Sequence, residues 1–305
     1  MDRAQNIFYK ITNTNAAIRV DENINHNIFL GKDEKNRLII FAVSNMEPLN
    51  ITSSNLIEVQ DGLRSDGQWV LSFILINQDY SDMFCHFCDD IIMYAVENSH
   101  KDVIESFSNR YIKWQNMLKK NSTALLSKEA VKGLIGEIHF LINSMVPKYG
   151  IEKAVDAWVG IEYNIHDFIV DDLWYEIKSV KNGTPTVTVS SIEQLDCQND
   201  GKLVINYFDD TNITDINKIT LNSIILKLFS LINDDSLKII ISDKLLDYGY
   251  VYRKEYDTFP FKFIKREVYN INNTFPAMRR SNIPDAVKNT KYELFIIKIQ
   301  NYKED

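Results

Sequence analysis

The segment Ile165–Ser179 reads IHDFIVDDLWYEIKS, and Asp167, Glu176 and Lys178 within it are the residue types that metal-assisted phosphoryl chemistry needs. If Asp171-Asp172 form a two-residue hairpin turn, facing residues have numbers that sum to 343, and Asp167 lies opposite Glu176. Opposite residues on antiparallel strands have Cβ atoms about 4.5–5.5 Å apart on one face. Two carboxylates that close repel unless a cation lies between them or one takes up a proton. Lys178 stands two residues after Glu176 and shares its face. A hard divalent cation such as Mg²⁺ (or Mn²⁺) takes a few carboxylate oxygens and keeps water or phosphate in the rest of its shell. A lysine alongside can orient the attacking water or stabilise charge developing on phosphoryl oxygens.

An acid–x–lysine triplet alone is cheap, and Asp33-Glu34-Lys35 has the same pattern in a polar turn. The 165–180 segment differs in its setting. Ile165, Phe168, Val170, Trp174, Tyr175, Ile177 and Val180 make both strands apolar, so the charges interrupt a half-buried sheet.

A third acid, Glu137, lies in Ser127–Met145 (SKEAVKGLIGEIHFLINSM), a helical pattern with Leu134, Ile138, Leu141 and Met145 on one stripe. Glu137 falls on the edge of that stripe. Gly133 and Gly136 cost helix stability and suggest that another backbone comes close; the alternative is a surface glutamate beside two incidental glycines. Further on, Ser190/Glu193 and Ser191/Gln194 have capping-box spacing, and Gln194 either caps a helix or points to the acidic site. His166 is either structural or a contact to phosphate or water, with the structural role favoured.

The first eighty residues read as strands, at Arg37–Val43, Leu56–Gln60 and Trp69–Ile76, followed by helices over Ser81–Asn98 and Val103–Lys119. The polar stretch Lys119–Thr123 is the expected boundary. After Ser127–Met145 come the hairpin, a strand Thr184–Val189, a helix from Ser191, a strand Lys202–Phe208, and helices Asn217–Ile232 and Ser236–Asp247. Phe261–Ile271 and Tyr292–Gln300 read as strands again. The order implies an α/β (α+β) chain. It has a β-rich then helical domain over 1–120, a mixed-sheet core flanked by helices over 121–248, and a β-rich C-terminal extension over 249–305.

The bulk numbers narrow the class. Hydrophobic residues at 45% and aromatics at 11% provide a core and argue against disorder. No apolar run is long enough for a membrane span, and Met1–Lys10 lacks a signal-peptide stretch, so a cytoplasmic protein with no membrane partner is expected. Cys85 and Cys88 form a C-x-x-C with no second pair at zinc-finger spacing, and they read as two thiols at the start of a helix. The net charge is −8, which is unlike a general nucleic-acid coat protein. It is uneven, however: residues 121–200 hold 6 basic and 12 acidic residues, and 250–305 hold 11 basic and 7 acidic. In that basic end Lys262, Lys265, Arg266, Arg279 and Arg280, interleaved with Tyr256, Phe259, Phe261, Phe263 and Phe275, are candidate phosphate contacts. Residue by residue, a β-rich domain with aromatics inside and basic groups in water is the stronger reading.

Glu137, Asp167, Glu176–Lys178 and the 190–196 segment, in this order, resemble the PD-(D/E)XK nuclease superfamily. More closely, GLIGEIHFL (133–141), AWVG (157–160), HDF (166–168), YEIKS (175–179), SSIEQLD (190–196), NTFPAMRRSNIP (273–284) and KYEL (291–294) resemble a bacterial group of PD-(D/E)XK motif proteins, often found near restriction–modification genes. The resemblance implies a restriction-endonuclease-like core. In it Asp167, Glu176 and the Ile177 carbonyl hold a divalent metal, Lys178 positions or activates water, and Glu137 is an auxiliary acid. His166 stands where the superfamily's name has proline. Two functions follow. One is a Mg²⁺-dependent DNA endonuclease in restriction or anti-phage defence. The other is a catalytically inactive DNA-binding or assembly module of a larger defence complex. No site residue is degenerate, which favours the first. The net acidic charge and the unassigned first 120 residues, expected to meet a second copy or another protein, favour the second.

Overall fold

The computed structural model describes residues 3–21, 26–121, 125–159, 165–196 and 199–304. In chain order the elements of the first half are α1 (Arg3–Lys10), β1 (Ala16–Arg19), β2 (Asn27–Lys32), β3 (Leu38–Ser44), β4 (Ile57–Leu63), β5 (Trp69–Leu75), α2 (Ser81–Glu97), α3 (Val103–Asn121) and α4 (Lys128–Phe140). Then follow α5 (Val146–Tyr149), α6 (Ile151–Ala157), β6 (Phe168–Val170), β7 (Leu173–Lys181), β8 (Thr186–Val189) and β9 (Gly201–Asp210). The last are β10 (Lys218–Ile219), α7 (Leu221–Ser230), α8 (Asp235–Asp247), β11 (Phe261–Ile271) and β12 (Tyr292–Phe295). Among the described residues no helix is long and apolar enough to cross a membrane.

Two compact units result. The first joins residues 1–125 to 234–253. Its antiparallel sheet, ordered β1-β2-β3-β5-β4, shares a core with α1, α2 and α3 in which Phe73, Phe84, Phe87, Phe107 and Tyr111 are fully buried. β1 and β2 had no clear signal: their alternation is short and broken by Asn and Gly. Helix α8, which periodicity places in the middle segment, belongs to this unit. The buried Arg110 of α3 explains why: it pairs with Asp90 through Nε and Nη2, both at 2.6 Å, and with Asp243 of α8. Cys85 and Cys88 are free thiols of α2, and burial pushes Cys85 up to about 12, so both serve as small packing groups.

The second unit comprises 126–233 with 254–305. The polar stretch Lys119–Thr123 lies partly outside the described residues, and the units divide just after it, at Leu125/Leu126. The sheet order is β10-β11-β9-β7-β6, mixed because β7 and β9 run parallel. This is the α+β core that the element order implied, and it is restriction-endonuclease-like, as the resemblance implied. Segment 261–271 is a full partner of β9, covering an edge that would otherwise be open. A two-stranded sheet of β8 and β12 packs against one face of the main sheet, with Val187, Val189, Leu294 and Ile296 meeting Trp174, Leu203, Ile205 and Tyr269.

On the other face lies α4. A Cβ added to Gly136 would stand 1.9 Å from Ser179 Oγ of β7, so that glycine permits the close approach, although to a side chain rather than a backbone. Gly133 faces open space. The helix is continued by a π-helical turn, Leu141–Met145.

Candidate metal and catalytic site

The hairpin that carries the site has the register the sequence dictates. Phe168 faces Tyr175, Ile169 faces Trp174 and Val170 faces Leu173, each pair summing to 343. Asp171 takes a left-handed turn conformation at φ 53°, tolerated by aspartate, and pairs with Lys153. Asp167 sits one residue before β6, opposite Glu176. Its N–H donates to Tyr175 O at 3.2 Å, and its Oδ2 accepts from Ile177 N–H at 2.6 Å.

Glu176 is 2% exposed. Its Oε1 meets Lys178 Nζ at 2.7 Å, while Oε2 accepts no hydrogen bond among the described residues and lies 4.0 Å from His166 Nδ1. Burial, then the charge of Asp167, push Glu176 up to about 8 despite Lys178. Burial likewise lifts Asp167 to about 6, against the Ile177 hydrogen bond and Lys178. Near neutral pH the pair thus holds one proton, on Glu176, that a cation would displace.

Lys178 Nζ also donates to Gln194 Oε1 at 3.0 Å, and the same oxygen accepts from Ser190 N–H at 2.8 Å. Gln194 therefore joins the site and closes a turn at once. The helix expected from Ser191 is a single 3₁₀ turn, Ile192–Gln194, and the Ser191 side chain makes no capping bond. The next residue but one, Asp196, accepts from the Arg280 N–H at 2.7 Å, a tertiary contact that competes with helix continuation.

His166 is buried, stacked on Trp174 at 4.1 Å and 9°, and burial pushes it down to about 4, so it is a neutral packing ring at the site. Glu137 is half-buried on α4 and accepts from Trp158 Nε1 at 2.9 Å. Trp158 in turn bridges to Phe168, which points to the α4 face, so Glu137 is tied to the strand bearing Asp167 but from the side of the sheet opposite Glu176 and Lys178. Trp158, which holds the Glu137 carboxylate, was not singled out in the sequence. Its signal was a tryptophan at the end of a short helix, whose buried indole N–H needs an acceptor.

The basic residues divide. Lys262 is half-exposed, 4.0 Å from Asp215. Lys265 pairs with Glu267 at 3.0 Å. Arg266 is half-buried and bonds to Asn206, Ser144 and His139. Arg279 bonds to Asn272 O at 2.7 Å and Asp196 at 3.4 Å, and Arg280 to Glu193 and the carbonyls of Val287 and Lys288. Arg266 and Arg279 are partly buried by these bonds, whereas Arg280 stays exposed to water although its guanidinium finds carbonyl and carboxylate acceptors on neighbouring segments.

Among the described residues no group of three His, Cys, Asp or Glu side chains is arranged to hold a metal ion. The donors on hand are two carboxylates and the Ile177 carbonyl, which suits an octahedral ion that keeps water or substrate oxygens. The spare buried oxygen of Glu176 fits that use.

A mixed sheet with D…ExK on a β-hairpin, flanked by a helix bearing an acid, defines a PD-(D/E)XK nuclease-like core. The family model described as "Putative PD-(D/E)XK family member, (DUF4420)" matches residues 4–296, and the chain belongs to that family. No curated protein and no solved structure matches the chain.

Proposed function

We propose that the chain is a Mg²⁺- or Mn²⁺-dependent phosphodiesterase that cleaves DNA internally, in restriction or anti-phage defence. The observation that carries this reading is Glu176: nearly inaccessible, beside a second acid, with one oxygen left without a donor. A structural glutamate would be fully hydrogen-bonded, since an unpartnered buried carboxylate is costly. Asp167, Glu176 and the Ile177 carbonyl would hold the cation, which supplies Lewis acidity and an acidified water. Lys178, anchored by Gln194, holds that water or the developing phosphoryl charge. Glu137, held by Trp158, takes the role of auxiliary acid on the sequence resemblance alone. The restriction context rests on the sequence resemblance alone.

Cleavage of plasmid and linear DNA with Mn²⁺ tests the reading. Asp167→Ala, Glu176→Ala and Lys178→Ala are expected to abolish cleavage and keep the fold. Full activity in Glu176→Ala overturns it, and absence of both cleavage and metal binding in the parent protein favours an inactive DNA-binding or assembly module.

A further inference from the structure

Arg266 lies on the opposite face of the sheet from Glu176 and Lys178. Ser179, Asn206 and Arg266 form one cross-strand row on the α4 face. Asn206 Nδ2 donates to Gly136 O at 3.1 Å and its Oδ1 accepts from Arg266 Nε at 2.7 Å. Arg266 Nη1 donates to Ser144 Oγ, and Nη2 lies 2.8 Å from His139 Nδ1. Its guanidinium lies 4.9 Å from the Phe140 ring centre and 5.7 Å from that of Phe263. All three hydrogen-bond partners are neutral side chains, and no acidic side chain among the described residues pairs with Arg266. Arg110, the other deeply placed arginine, has two carboxylates. A cation withdrawn from water without an anion is costly.

Two backbone irregularities converge on this group. The π-helical turn Leu141–Met145 carries Ser144 to the guanidinium. In β11 the register shifts between Phe263 and Lys265, so Ile264 is an extra residue. Without it, Phe263 and Arg266, three apart, would point to opposite faces; with it both face α4. His139 then stacks on Phe263 at 4.1 Å. Burial, then the charges of Arg266 and of Lys227 on α7, push His139 down to about 4. The spot thus gathers positive charge from two elements. A guanidinium has five N–H donors, and three are used here, leaving one on each terminal nitrogen.

We propose that Arg266, with His139 and Ser144, forms a binding site for a phosphate-class oxyanion, separate from the metal site. The two remaining N–H groups can donate to phosphate oxygens, and the anion supplies the missing countercharge. Such an oxyanion is either free or part of a nucleic-acid backbone.

The test is calorimetric titration of the full chain with inorganic phosphate at fixed ionic strength in EDTA, which keeps the metal site out of the readout. Saturable binding is expected, weakened at least tenfold in Arg266→Met and several-fold in Ser144→Ala. A purely structural arginine makes a different demand: Arg266→Met would then melt lower. The site proposed here predicts that this variant melts no lower than the parent without phosphate, and loses the phosphate-induced rise in Tm. General salt stabilisation raises both proteins alike and is subtracted. If Arg266→Met fails to fold, the parent titration and Ser144→Ala still decide. A short DNA duplex that competes with phosphate places the oxyanion in a nucleic-acid backbone, and phosphate binding without competition makes it a free ion. No saturable phosphate binding to the parent, or unchanged affinity in Ser144→Ala and in a folded Arg266→Met, overturns the proposal.

Discussion

Glu176 and Glu267 are two deeply placed glutamates on one face of one sheet, and they are built in opposite ways. Lys178, two residues after Glu176, shares a cross-strand row with Ile205 and Glu267, so the acids lie two strands apart. Glu267 Oε2 accepts from Tyr207 at 2.7 Å and Tyr269 at 2.9 Å, and its Oε1 meets Lys265 at 3.0 Å and Lys303 at 2.8 Å. Burial alone would raise that carboxyl, but hydrogen bonds from Lys303, Tyr207, Lys265 and Tyr269 bring it down to about 2. Glu176 has one partner, one idle oxygen and an acid beside it, and stands at about 8. A satisfied acid holds a fold together; an unsatisfied one at the same depth is what the proposed cation site requires.

The largest effect expected from this contrast is on cleavage. Glu176→Ala and Lys178→Ala should each lower the Mn²⁺-dependent rate by about 10³-fold or more, on the order of 4 kcal/mol of barrier, with melting temperatures little changed. Glu267→Ala reverses the pattern. Removing the acceptor of two tyrosines and two lysines should cost about 2–4 kcal/mol in denaturant unfolding, with a smaller effect on rate per folded molecule.

The pH dependence separates the two acids further. Glu176 is raised in the folded state, so its contribution to metal-free stability is complete below pH 4.5 and is lost as pH rises through about 8. Glu267 is lowered, so its contribution is present above pH 4.5 and is lost as pH falls through about 2. In metal-free protein, Glu176→Gln should flatten the fall between pH 4.5 and 8, a slope of at most about 1.4 kcal/mol per pH unit. An unchanged slope in that variant would remove Glu176 as its source. The smallest effect is that of Trp158→Phe, which takes the donor from Glu137 and should lower the cleavage rate about tenfold with KM nearly unchanged.

Much of this site was legible because its logic is local. Register follows from a two-residue turn and a period of two, so Asp167 opposite Glu176 could be counted from the sequence. The helix bearing Glu137 was legible from its apolar stripe. What escaped depended on distant partners. The helix expected after Ser191 shrank to one turn, with Gln194 bonded to Lys178 and Asp196 to Arg280, contacts no local pattern encodes. Arg266 looked like a surface cation because nothing nearby in sequence foretells a β-bulge that turns it under α4. The grouping of α8 with the first unit rests on Arg110 and Asp243, 133 residues apart.

The most direct test of the account is calorimetric titration of metal-free protein with Mn²⁺ near pH 7, repeated in buffers of different ionisation enthalpy. Saturable binding that releases a proton is expected, since Glu176 stands at about 8 before the cation arrives, with loss of both binding and release in Glu176→Gln. Binding of equal affinity in Glu176→Gln, or no binding in the parent protein, contradicts it.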